Sequence, residues 1–85
     1  MILKGKTAIV TGASKGIGLA IVEELLERGV KVAGWSRTDP GISDSDFQFV
    51  KADVQSVESI EAADKATVAK FGTTNDFLIN NAGLG

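Results

Sequence analysis

Cysteine and histidine are both absent from the 85 residues. Without a thiol there is neither a disulfide framework nor a thiolate site, and without imidazole the commonest metal ligand is gone. Proline occurs once, beside 44% hydrophobic and 24% charged residues, a balance that argues against disorder and for a packed core. Excess positive charge is lacking as well. A formal net charge of −2 offers no basic patch for nucleic acid or an anionic membrane, whereas a small phosphate-bearing ligand is still allowed. Long apolar runs are missing too: the stretch from Met1 to Val10 is interrupted by Lys4 and Lys6, too short for a signal peptide or a membrane span. The expectation is a cytoplasmic protein with no nucleic-acid or membrane partner. At this length it forms one domain or part of one, with no repeat, linker or low-complexity tract.

What is present alternates between two periods. Thr7-Ala8-Ile9-Val10 is a short, partly β-branched apolar run that breaks at Gly12, the pattern of a strand buried on both faces. From Gly16 to Arg28, Ile17, Ile21, Val22, Leu25 and Leu26 share one side of a 3.6-residue period, with Glu23, Glu24, Glu27 and Arg28 opposite. That predicts an amphipathic helix stopped by Gly29. Val30 to Trp35 returns to strand character and completes a right-handed crossover unit. Residues 37–46 hold Pro40, Gly41 and several Ser and Asp, predicting a loop with at most a single helical turn. Phe47 to Ala52 is a third strand. Ser56 to Phe71 is a second helix through Val57, Ile60, Val68 and Phe71, with Ser56 as its cap and Gly72 as its terminator. Phe77-Leu78-Ile79 is a fourth strand, ending at Asn80-Asn81-Ala82-Gly83. Strands alternating with helices predict the α/β class, a doubly wound parallel sheet.

The segment Thr11-Gly12-Ala13-Ser14-Lys15-Gly16-Ile17-Gly18 lies between the first strand and the first helix. Backbone there must turn sharply and approach a neighbour closely, which glycine permits because it has no Cβ. The helix that follows starts with unpaired N–H groups and a positive dipole end, suited to a pyrophosphate. The spacing is neither G-x-G-x-x-G nor a phosphate loop ending in Gly-Lys-Ser/Thr. On the loop alone, a tight turn without a ligand is the competing reading.

Three motifs in order change that balance. The glycine loop, Asp53-Val54 after the third strand, and Asn80-Asn81-Ala82-Gly83 after the fourth resemble, across the whole chain, the cofactor-binding front half of the short-chain dehydrogenase/reductase family. The resemblance implies a Rossmann-like dinucleotide-binding domain over residues 1–85, truncated before the catalytic segment. It also implies that Gly12, Ser14, Lys15, Gly16, Ile17 and Gly18 surround the cofactor phosphates and adenosine ribose. Asp53 and Val54 would contact the adenine, and Asn80, Ala82 and Gly83 would line the floor beneath the riboses. Plainer roles stand beside these: Asp53 as a carboxylate near a helix N-terminus, and Asn80 and Asn81 as partners of backbone groups at a strand end. For Asn81 the structural role is preferred.

At the end of the second strand, where an acidic residue would bind a ribose 2′-hydroxyl and repel a 2′-phosphate, this sequence has Ser36 followed by Arg37. With Lys15 in the loop, two cations can converge on a 2′-phosphate, so NADP is expected over NAD. Asp39 could compete for Arg37. The family's chemistry implies a tyrosine that passes a proton to a carbonyl oxygen, a lysine that lowers its pKa and a serine that orients the substrate. This sequence contains no tyrosine, so no catalytic residue is named. The full-length parent would be an NADP-dependent, homo-oligomeric oxidoreductase acting on an alcohol/carbonyl pair. The 85 residues alone would be inactive and, with a free fourth-strand edge, prone to self-association. A non-catalytic dinucleotide-binding half-domain and an assembly fragment are the alternatives.

Overall fold

The computed structural model describes residues 3–72 and 76–81. The elements run β1 (Thr7–Thr11), α1 (Gly16–Glu27), β2 (Lys31–Ser36), β3 (Phe47–Lys51), α2 (Val57–Phe71) and β4 (Phe77–Asn80). The four strands form one all-parallel sheet in the order β3-β2-β1-β4. The chain steps outward from β1 through β2 to β3, then crosses back to the opposite side of β1 as β4. This is the doubly wound, Rossmann-like arrangement, and the reversal beside β1 opens a crevice at the carboxyl ends of the strands.

Strand alternation sorts the core into two layers. Ala8, Val10 and Val32 face α1 and pack with its Val22, with Val30 and with Phe47. Ile9, Ala33, Trp35 and Val50 face α2 and pack with its Ala63. Both faces of the central strands are covered, which is why they are written as continuous apolar runs.

The step from β2 to β3 is made without a helix. Its ten residues turn through two Asx contacts, Gly41 N–H donating to Asp39 Oδ1 and Asp46 N–H to Asp44 Oδ1, each at 2.8 Å. Parallel strands are usually joined by a helical crossover of a dozen residues or more. Here Ile42, Phe47 and Phe49 pack into the α1-side cluster instead. Phe47 lies so close over Gly34 that a Cβ there would sit 2.7 Å from its Cε1 atom. The loop expected over 37–46 is therefore what the chain forms.

Helix ends follow local chemistry. Ser56 Oγ accepts from Ser59 N–H at 3.2 Å, and Gly29 and Gly72 stop their helices at φ of 82° and 87°, a region open to glycine. The buried stripes differ from the periodicity in two places. Ile17 is 66% exposed and leaves the α1 stripe to Gly18, Ile21, Val22, Leu25 and Leu26. Val57 is 70% exposed, and α2 meets the sheet through buried Ala63 and Thr67 with Ile60, Ala66 and Phe71 packed beside them. Trp35 belongs to this α2-side cluster, with its Nε1–H donating to Thr67 Oγ1 at 3.0 Å.

Candidate functional site

The carboxyl ends of β1, β2, β3 and β4 meet around a cavity of ≈ 600 Å³. The turn after β1 contributes Gly12, Ser14, Lys15 and Gly16, and the first turn of α1 adds Ile17. The end of β2 contributes Trp35, Ser36, Arg37 and Thr38, and the end of β3 contributes Ala52, Asp53, Val54 and Gln55. Asn81, just after β4, closes the remaining side.

The glycine turn is held by its neighbours rather than by its own side chains. Gly12 N–H donates to the Trp35 carbonyl at 2.9 Å, and the Asn81 side-chain amide donates to the Gly12 carbonyl at 3.3 Å. Gly12 and Gly16 take φ of 63° and 61°, which a side chain would strain. Gly18 lies beneath the turn, where a Cβ would collide with the Gly12 carbonyl oxygen. Thr11 ties β1 to the end of β4: its Oγ1 donates to Asn80 Oδ1 at 3.1 Å and accepts from Asn81 N–H at 2.9 Å.

The turn leads into α1 with no side chain capping the helix, and Gly16 and Ile17 of its first turn border the cavity. A Cβ built on Gly16 would meet nothing within 4 Å; open space lies in front of this backbone. Lys15 and Arg37 are both exposed, and among the described residues the ion pair is Arg28 with Glu24, far from the cavity. Asp39 accepts from Gly41 N–H and forms no ion pair with Arg37. Ser36 Oγ donates to the Thr38 carbonyl at 2.8 Å, closing the turn that carries Arg37. Across the cavity, Asp53 Oδ1 accepts from Gln55 N–H at 2.9 Å and Asp53 N–H donates to Ser59 Oγ at 2.8 Å. The result is one site with uncapped helix amides, glycine backbone open to approach, two unpaired cations and one carboxylate. Those residues fit a dinucleotide: amides and cations for phosphates, and the Ala52–Val54 turn for an apolar ring with polar edges.

Of the residues expected at a site, Gly12, Ser14, Lys15, Gly16, Ile17, Ser36, Arg37, Asp53 and Val54 all border this one cavity. Gly18 supports the turn from below. Asn80 borders a neighbouring depression of ≈ 440 Å³ with Leu78 and Ile60. Ala82 and Gly83 lie outside the described residues. Asn81 combines its backbone-holding role with a place in the cavity wall. Trp35, Thr38, Ala52 and Gln55 were not anticipated. Each adjoins a residue that was, and the rule that ligands of open parallel sheets sit at strand carboxyl ends could have extended the set by one position in each direction.

A model of the short-chain dehydrogenase family matches residues 6–85. The chain belongs to the short-chain dehydrogenase family. A 3-oxoacyl-(acyl-carrier-protein) reductase, FabG of Vibrio cholerae serotype O1, is 48% identical over 90 residues, covering 99% of this chain and 36% of that protein. Among solved structures, the ligand-free aldohexose dehydrogenase of Thermoplasma acidophilum superposes with a TM-score of 0.83 at 35% identity, covering 93% of this chain and 30% of that one. The 3-ketoacyl-(acyl-carrier-protein) reductase of Brucella melitensis complexed with NADH gives a TM-score of 0.81 at 31% identity, covering 89% and 34%. The chain thus spans about a third of the length of these relatives.

Proposed function

We propose that residues 1–85 are the dinucleotide-binding part of an NADP(H)-dependent short-chain oxidoreductase that interconverts an alcohol and a carbonyl compound. Family membership supports the reaction class, and the NADH complex of the Brucella melitensis relative supports a nicotinamide dinucleotide. When bound, the nicotinamide supplies or accepts a hydride. The part played by this chain is to bind and orient: helix amides and glycine backbone toward the pyrophosphate, and the turn after β3 toward the adenine.

The observation that carries the choice of NADP is the pair of unpaired cations, Lys15 and Arg37, lining one cavity with Ser36 standing where a carboxylate would repel a 2′-phosphate. The Ser36–Thr38 hydrogen bond supports it by fixing the turn on which Arg37 is mounted.

Calorimetric titration with NADP+ and NAD+ tests this. NADP+ binds more tightly, and Arg37→Ser or Lys15→Ala each weakens NADP+ by roughly tenfold, an exposed charge-assisted contact, while NAD+ is little changed. Tighter binding of NAD+, or equal losses for both cofactors, would contradict the NADP assignment.

A further inference from the structure

The step from β2 to β3 carries no helix, and this bears on the face of the sheet where the glycine turn lies. Right-handed crossovers put α1 on one face and α2, which returns from β3 to β4, on the other. A helix between β2 and β3 would share the α1 face. Without one, Ile42, Phe47 and Phe49 pack into the α1-side cluster, whereas Lys51 at the end of β3 is exposed. Strand alternation sets Phe47, Phe49 and Lys51 on this face, together with Val32, Gly34 and Ser36 of β2. Lys51 pairs in register with Ser36, about 5 Å away across the sheet. Ala52 N–H donates to the Ser36 carbonyl at 2.9 Å, so the two strand ends are held together up to the cavity. The glycine turn lies on the same face, since a Cβ on Gly34 would stand 3.0 Å from the Ala13 Cβ.

Lys51 therefore stands at the rim of the cavity between two residues that line it, Ser36 beside it in the sheet and Ala52 after it in sequence. Among the described residues it forms no ion pair, and the carboxylate two positions on, Asp53, accepts from Gln55 N–H. We infer that Lys51 is a third cation of the phosphate end of the cavity, a specificity-determining residue that reaches past Ser36 to a 2′-phosphate and is free to do so because no crossover helix covers the end of β3. This rests on the dinucleotide reading above and adds a residue that lies in none of the three motifs. An ammonium on a flexible four-carbon stem acts as a point charge, complementing the planar fork of Arg37 and the charge of Lys15.

The test is calorimetric titration of the chain and its variants with 2′,5′-ADP and 5′-AMP, which differ by the 2′-phosphate, at low and at high ionic strength. Lys51→Gln should weaken 2′,5′-ADP by roughly two- to fivefold at low salt, leave 5′-AMP unchanged, and lose most of its effect at high salt. Lys51→Arg keeps the charge and should keep the ratio of the two affinities. Lys65→Gln makes the same charge change at an exposed position of α2, across the sheet, and should alter neither affinity. A Lys51→Gln chain that binds 2′,5′-ADP as tightly as the unsubstituted one, that loses equally on both probes, or that is matched by Lys65→Gln would overturn the role given to Lys51 while leaving the dinucleotide reading standing. A folded chain that binds neither probe would overturn both.

Discussion

The two strands that flank β1 are built to different standards. β2 has a parallel neighbour on each side, is buried from Val32 to Ser36, and carries clusters on both of its faces. β4 is paired with β1 alone among the described strands. Its Phe77 and Ile79 pack toward the α1-side cluster, but Leu78 on the other face is 68% exposed. The contrast places the completed packing where the cavity is. The glycine turn, the Ser36–Thr38 turn and the Asp53 turn all hang from the ends of β1, β2 and β3, and each is fixed by hydrogen bonds within that finished half of the sheet. β4 contributes through its end: Asp76 bonds to the start of β1 at 2.9 Å by both backbone and carboxylate, and Asn81 reaches across to the Gly12 carbonyl.

Substitutions separate the two halves of the sheet by effects of different size. Gly18→Ala puts a methyl into the Gly12 carbonyl, and should cost about 3 kcal/mol of stability by overpacking together with loss of dinucleotide binding, read by denaturant unfolding and calorimetry. On β2, Val32→Ala removes two methyl groups from a fully buried site and should cost about 2 kcal/mol. The matching change on β4, Leu78→Ser, should alter stability by less than about 0.5 kcal/mol and reduce self-association in sedimentation. Equal destabilisation by the two would mean that β4 is packed as firmly as β2. Thr67→Val leaves the Trp35 N–H buried without an acceptor, for an expected cost of about 1 to 2 kcal/mol. Glu24→Gln removes the exposed ion pair with Arg28 on α1, and should change stability by about 0.3 kcal/mol at most, less still in high salt.

The parts of the fold that were legible in the sequence are those dictated by local chemistry. Gly12, Gly16, Gly29 and Gly72 take the positive φ that their places in turns and helix ends require, and Ser56 caps the helix it precedes. The uninterrupted apolar runs of β1 and β2 announced strands buried on both faces, and the composition of residues 37–46 announced a crossover without a helix. The site was legible for the same reason, since its glycines, Ser36, Arg37 and Asp53 sit at turns directly after strands.

What was not legible depends on a partner from elsewhere in the chain. The period of α2 pointed to Val57, Ile60, Val68 and Phe71; Ile60 and Phe71 do pack against the α2-side cluster, but Val57 is exposed and the most buried positions are Ala63 and Thr67, the latter bonded to the Trp35 ring. No feature of residues 57–71 encodes that ring. Ile17 fits the stripe of α1 by period, yet it lies at the helix start, beyond the edge of the sheet, and faces the cavity instead. Trp35 itself looks from sequence like one more apolar strand residue, and its place in the cavity wall follows only from the pairing of β2 with β3.

The proposed function requires one cavity to serve one ligand. Amide chemical-shift mapping of the chain with 2′,5′-ADP, the adenosine end of NADP, tests this most directly. The predicted result is a contiguous set of shifts at Gly12 to Gly18, Trp35 to Thr38 and Ala52 to Gln55, with the carboxyl-terminal half of α2 unmoved. Saturable shifts confined to β4 and the depression beside Leu78, or none at the glycine turn, would contradict it.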